Sequence, residues 1–252
     1  MKLESLLQYL DGYLGTAEHP DHPNACNGLQ VEGTKDVRHV AAAVDASEAS
    51  IRAAVDRNAD LLIVHHGLFW NGSVPLSGRL RRRITPLIAS GTALYSAHLP
   101  LDGHVEVGNN VLLCRAIGVE PEARFDDFQG VGLGWYGSLD VPLDLEGLVR
   151  RVGDAVSGAA RAVPGGPPSI ARVGVVTGAG AGALPEAAAL GLDALVTGEC
   201  AHHHFFDAME LGVHLVLGGH YATETFGVQA LAEHVAERFD LEWSFVDQPT
   251  GF

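Results

Sequence analysis

Two histidines stand side by side at 65 and 66, ahead of Gly67 and behind the apolar run Leu61–Val64. In an open parallel sheet ligands bind beyond the carboxyl ends of the strands, so imidazoles there are placed to coordinate a cation. Adjacent strand residues point to opposite faces, and a turn past the strand end is expected to bring both rings inward. The plainer alternative is two histidines capping the strand end on nearby carbonyls. His98 and Asp102 follow a second expected strand end, with Pro100 between them fixing φ. Imidazole and carboxylate together suit Zn, Mn, Fe or Ni. His98 is either a ligand or a neighbour that orients one, and Asp102 can also cap the helix that follows. His220 and Glu224 lie four apart after Leu215–Leu217 and Gly218-Gly219, a spacing that puts both on one helix face. Ordinary surface ion pairs share that spacing. Three histidines and two carboxylates are too many for one tetrahedral zinc and too few to saturate two ions. With a bridging carboxylate they suit two metals with open positions for water, as metal-assisted hydrolysis requires.

Two further clusters carry chemistry of their own. His202-His203-His204 follows Gly198-Glu199, the place that His65-His66 holds earlier in the chain. Such a tract binds metal by composition or simply forms the polar start of a helix running into Phe205 and Phe206, and it is left outside the ligand set. Arg79, Arg81, Arg82 and Arg83 form a dense basic run in an acidic chain. It reads either as a solvated helix face or as a clamp for phosphate oxygens.

The elements that position these residues are legible in outline. Leu3, Leu6, Leu7, Leu10 and Leu14 predict an amphipathic opening helix. Strands are expected at 39–44, 61–64 and 92–97, with helices over 47–57 and up to Gly91; residues 118–145 read as a connection between halves, and 164–168 (PGGPP) as a turn. The second half repeats the first. A shift of 133 places 40–44 on 173–177 and 59–64 on 192–197, and His98…Asp102 matches His220…Glu224 at an offset of 122. The expected architecture is therefore α/β: two related halves from an internal duplication, 1–125 and 126–252, with mostly parallel sheets covered by helices. The first carries the HHG and HLPLD loops, the second the TGE and GGHYATE motifs.

Composition narrows the classes. The 252 residues include 16 Lys+Arg, 31 Asp+Glu and 13 His, for a formal charge of −15, which argues against a protein that coats duplex nucleic acid. Three cysteines without a C-x-x-C pair fit a reducing compartment. No signal-peptide core and no apolar run of roughly 18 residues is present, so a soluble cytoplasmic protein is expected and no membrane partner.

The strings NGLQVEG (27–33), VHHGLFW (64–70), LPLD (99–102), TGE (197–199) and GGHYATE (218–224) resemble the YbgI-like dinuclear-metal-centre family. Its members are also called type 2 GTP cyclohydrolase homologues or NGG-one-interacting-factor-like proteins. The resemblance implies a toroidal homohexamer, a trimer of dimers, with two divalent ions per subunit. It also implies His65, His66, Asp102, His220 and Glu224 as ligands, Glu224 bridging, and His98 beside them. The triple histidine, and Glu199 where many members carry Asp, are departures. The first functional reading is a metal-dependent hydrolase of cyclohydrolase or phosphoesterase type. In it His98 or Glu199 moves protons and the Arg79–Arg83 run holds a phosphate-bearing substrate such as a nucleotide. The alternatives are a nuclease acting on single-stranded nucleic acid within the ring, and a non-enzymatic metal-binding scaffold or adaptor.

Overall fold

The computed structural model describes residues 1–252 apart from Lys35, Asn71, Ser73 and Phe252. In chain order the elements begin α1 (Leu3–Leu14), β1 (Gly28–Val31), β2 (His39–Asp45), α2 (Glu48–Asp56), β3 (Leu61–His66), α3 (Gly78–Ser90), β4 (Ala93–Ser96) and α4 (Leu99–Asp102). They continue through α5 (Asn109–Ala116), β5 (Val119–Phe128), β6 (Val131–Leu143), α6 (Leu145–Ala155), β7 (Arg161–Val163), β8 (Ile170–Val175), α7 (Leu184–Ala189) and β9 (Ala194–Thr197). The last are α8 (His204–Leu211), β10 (His214–Leu217), α9 (His220–Thr223), α10 (Thr225–Phe239) and β11 (Glu242–Phe245). Two compact units result: Met1–Leu101 with Gly227–Gln248, and Asp102–Phe226 with Pro249–Phe252. Among the described residues no helix is long and apolar enough to cross a membrane.

The first unit is built on a sheet of order β1-β4-β3-β2-β11, parallel except for the β1–β4 pair. Its central strands are apolar on both faces because helices cover both. Ala41, Ala43, Leu62, Val64 and Leu94 share one core with Ile51 of α2 and Leu87 of α3. A reciprocal pair of bonds between Ser47 and Ser50 starts α2, each hydroxyl accepting the other's backbone N–H at 3.0 and 2.9 Å. Leu6, Leu10 and Leu14 are the buried stripe of α1. That helix is fastened to α10 by the 2.6 Å bond between Tyr9 Oη and His234 Nε2.

The second unit has a six-stranded sheet of order β5-β6-β8-β9-β10-β7. Only the β8-β9-β10 core is parallel; β5, β6 and β7 add antiparallel strands to its flanks. The stretch 118–145, read from sequence as a connection, is the long β5–β6 hairpin, turning at Gln129 and Gly130 with φ of 53° and 91°. Gly132, Gly134 and Gly137, by contrast, are packing positions. A Cβ on Gly134 would lie 2.7 Å from Phe125 Cε1 and from Val176 Cγ2. Dense glycine suggested a loop; close approach inside a sheet is what it serves.

The parallel cores repeat each other residue for residue. Val40 faces Leu61 and Ala42 faces Ile63 in the first unit; Val173 faces Ala194 and Val175 faces Val196 in the second, each shifted by 133. Asp60 Oδ2 accepts the N–H groups of Arg38 and His39, and Asp193 Oδ2 those of Ala171 and Arg172, again at 133. This correspondence is consistent with an internal duplication.

Asp126, in β5 with φ of 59°, has its carboxyl pushed up to about 6 by burial and by the charges of Glu186 and Asp127. An acid raised in the folded state resists ionisation there, so stability falls as pH climbs from about 4 through 6. Asp126→Asn, which tolerates left-handed backbone, should stabilise the protein by on the order of 1 kcal/mol at pH 7.5 after allowance for solvent screening. The gain should vanish near pH 4, and equal melting-temperature shifts at both pH values would contradict this account.

Candidate metal centre

His65 and His66 end β3 and belong to the strand itself, not to a turn beyond it. Their rings still approach, with centroids 4.7 Å apart. His98, just after β4, brings its ring within 4.9 Å of His65 and 5.8 Å of His66. One nitrogen of each of the three lies within 4.8 Å of the others. The Trp70 ring stands nearly perpendicular to that of His98, centroids 4.8 Å apart, and walls the cluster.

Each ring is fixed from behind. His65 is fully buried, and its Nδ1–H donates to the Ala97 carbonyl at 2.9 Å. His66 Nδ1 meets Asp45 Oδ1 at 3.0 Å, a contact that strand register dictates because Asp45 and His66 are partners across β2 and β3. His98 Nδ1 meets Asp21 Oδ1 at 2.8 Å. Burial alone would raise the Asp21 carboxyl, but the hydrogen bond and charge of His98, with bonds from Asn27 and the His22 N–H, hold it below the usual carboxylate range.

The NGLQ segment is scaffold for this cluster. Asn27 Nδ2 donates to Asp21 at 2.8 Å while its Oδ1 accepts the His98 N–H at 2.8 Å. Gln30 bridges from the Cys26 carbonyl to the Leu68 N–H at 2.7 and 2.6 Å. Its carboxamide fills the space where any Cβ on Gly67 would stand. Hence HHG.

The second unit assembles its own group. His220 begins α9, and Glu224 ends it as the C-cap, 4 % exposed. His220 Nε2 lies 3.2 Å from Glu224 Oε1, and His220 Nδ1 lies 3.0 Å from Glu199 Oε1. The hydrogen bond to Glu224 pushes the His220 imidazole up to about 9 against the opposing effect of burial, with the charges of Glu224 and Glu199 adding to it. Such a position favours positive charge, whether carried by a proton or by a bound cation. Thr197, Gly198 and Glu199 all donate to the Gly178 carbonyl, at 3.1, 2.9 and 2.9 Å, which shapes the TGE turn. Gly178 has φ of 63°, and a Cβ there would strike Glu224 Oε1. Asp102 is buried, and its Oδ1 accepts from Asn109 Nδ2 at 2.8 Å and Thr177 Oγ1 at 3.4 Å.

Sequence reasoning missed Asp21, Asp45, Asn109 and Thr177. Asp45 had a usable signal, since it ends the strand paired with the one ending in His66. The arginine run divides on α3. Arg83 is half-buried, its guanidinium pushed down by burial and by Arg79. Arg82 pairs with Glu48 at 2.9 Å, and Arg81 and Arg82 join Arg52 and Thr85 along a shallow cleft of about 390 Å³.

These motifs lie within one match: residues 1–250 fit the family model described as Duf34/NIF3 (NGG1p interacting factor 3). The chain belongs to the Duf34/NIF3 family. It is 43% identical to a Deinococcus radiodurans protein over 98% of this chain and 94% of that one. To an Archaeoglobus fulgidus protein it is 42% identical over the full length of both. Both relatives are named "GTP cyclohydrolase 1 type 2 homolog". Among solved structures, a Thermus thermophilus protein superposes with a TM-score of 0.91 at 43% identity over all of both chains. The protein ybgI, described as of unknown function, superposes at 0.92 with 36% identity over 99% of each.

If Asp45 orients His66 for a cation, Asp45→Ala should weaken divalent-metal affinity by roughly 10- to 100-fold while the fold stays intact. Zinc titration against a chromogenic chelator, beside a circular-dichroism spectrum, reads both quantities. Unchanged affinity would remove Asp45 from the site.

Proposed function

We propose that this Duf34/NIF3 protein holds two divalent metal ions per subunit through His65, His66, Asp102, His220 and Glu224 and acts as a metal-dependent hydrolase on a nucleotide or other phosphate-bearing substrate. One observation carries the reading. His65, His66 and His98 commit Nδ1 to an oxygen acceptor, at 2.9, 3.0 and 2.8 Å, and His220, whose Nδ1 meets Glu199 at 3.0 Å, turns its Nε2 to the Glu224 carboxylate, where a cation would replace the shared proton. In a neutral imidazole the opposite nitrogen, Nε2, then carries the lone pair, the arrangement found behind metal-bound histidines. Buried carboxylates on Asp102 and Glu224 supply hard oxygen donors, so the donor set suits Zn, Mn, Fe or Ni. Bound ions would lower the pKa of a water and polarise a phosphoryl or ring carbon–nitrogen centre.

The chain's own residues do the rest. Asp21 keeps His98 in one tautomer, so its Nε2 can accept a proton from a nucleophile and return it to a leaving group. Glu199 holds His220 in orientation. Arg81, Arg82 and Arg52 offer guanidinium forks for phosphate oxygens. The relatives' name supports a cyclohydrolase type of chemistry; a phosphoesterase activity and a homohexameric ring in the cytoplasm complete the proposal.

Elemental analysis of protein purified without added metal should find a transition metal approaching two ions per chain. Adding Mn²⁺ or Zn²⁺ to stripped protein should start hydrolysis of GTP or a phosphodiester, and His66→Ala with Glu224→Ala should abolish it. Full turnover in that double variant sinks the hydrolase. Metal binding without turnover on any phosphate ester would favour a scaffold, in which case stripping the metal should dissociate the assembly.

A further inference from the structure

The run of three histidines after the TGE turn takes no part in the site described above. His203 is the N-cap of α8 and His204 its first residue, and His203 makes no side-chain capping bond. Asp207 follows His203 by four residues and so stands above it on the same face. One donor atom from each of His203, His204 and Asp207 lies within 4.8 Å of the other two. The two rings sit 4.0 Å apart between centroids, tilted by 49°.

We infer that His203, His204 and Asp207 form a separate surface site for a borderline first-row divalent cation, of the Zn, Ni, Co or Cu(II) class. Two imidazoles and one carboxylate select such ions over Mg²⁺ and Ca²⁺, which prefer all-oxygen shells. The three donors come from a single helical turn, so they bind one side of an ion and leave its other positions to water. The Asp207 carboxylate supplies the anionic donor of the three. His204 Nδ1 accepts the Ala201 N–H at 3.0 Å. Ligation exchanges that bond for one to water, on an exposed backbone group.

The site lies four residues beyond Glu199, the carboxylate on His220 Nδ1. An ion there ties residues 203–207 together just after the turn that aims Glu199. It is an accessory position: its ligands are distinct from the five proposed above, and it stands if that reading fails.

The test is ion counting on the full-length, metal-stripped protein. Zn²⁺ is titrated against a chromogenic chelator, and Co²⁺ is followed by visible absorption, in three proteins. The wild type should bind one more Zn²⁺ per chain than His203→Ala with Asp207→Ala. The double variant His65→Ala with Glu224→Ala should keep that extra ion. Asp207→Asn alone should weaken it by about tenfold or more, as loss of a charged ligand does. Equal stoichiometry and affinity in the wild type and the α8 double variant would overturn the proposal. Should the α8 variant misfold, protection of His203 and His204 from acylation by Zn²⁺ in the wild type reads the same question; absence of protection overturns it equally.

Discussion

A lone pair on each imidazole must point in a chosen direction before any of this chemistry is available. Left alone, a histidine ring exchanges its proton between two nitrogens and turns about χ2. Here an oxygen sits behind each ring: Ala97 behind His65, Asp45 behind His66, Asp21 behind His98, Glu199 behind His220. Much of the surrounding structure holds those oxygens still. The β2–β3 register delivers Asp45, the loop around Asn27 delivers Asp21, and the TGE turn pinned on Gly178 delivers Glu199. Glycines 67 and 178 are there because a Cβ would occupy the place of Gln30 or Glu224.

Three of these supports are carboxylates, so they do more than steer. A carboxylate behind a ring raises its basicity, and a more basic imidazole is both a better ligand and a better proton acceptor. His65 differs, since its support is a neutral carbonyl and the ring is fully buried. Burial then does the orienting that charge does elsewhere.

The fold was legible where period and composition act locally. The opening leucine stripe, the helix from 47, the buried strands and the helix end near Gly91 follow from short-range rules, and each agrees with the structure. The repeat at 133 was legible too, because Asp60 and Asp193 do the same work for the strands beside them. The glycine-rich stretch misled because one composition serves both a loop and a tightly packed hairpin; only the partner surfaces at Phe125 and Val176 decide between them. The ligand candidates could be read because residue type limits what His-His-Gly or a buried His-x-x-x-Glu can do. The support of His98 could not, since Asp21 and His98 are 77 positions apart in sequence. Long-range register is not written in any local pattern.

The last strand gives the topology a consequence in time. β11 closes the free edge of β2, with Glu242 opposite His39 and Phe245 opposite Ala42, and the Phe245 carbonyl accepts from Arg57. On a ribosome, β1 to β4 emerge long before that partner does, and residues 102–226 of the second unit are made in between. The edge of β2 therefore waits without its β11 partner until β11 emerges, bearing the apolar Val40, Ala41 and Ala42. An unpaired apolar edge is an invitation to pair with another nascent chain. Vulnerability to misassembly should thus be greatest before β11 is translated, and a chaperone that shields strand edges would have its work there.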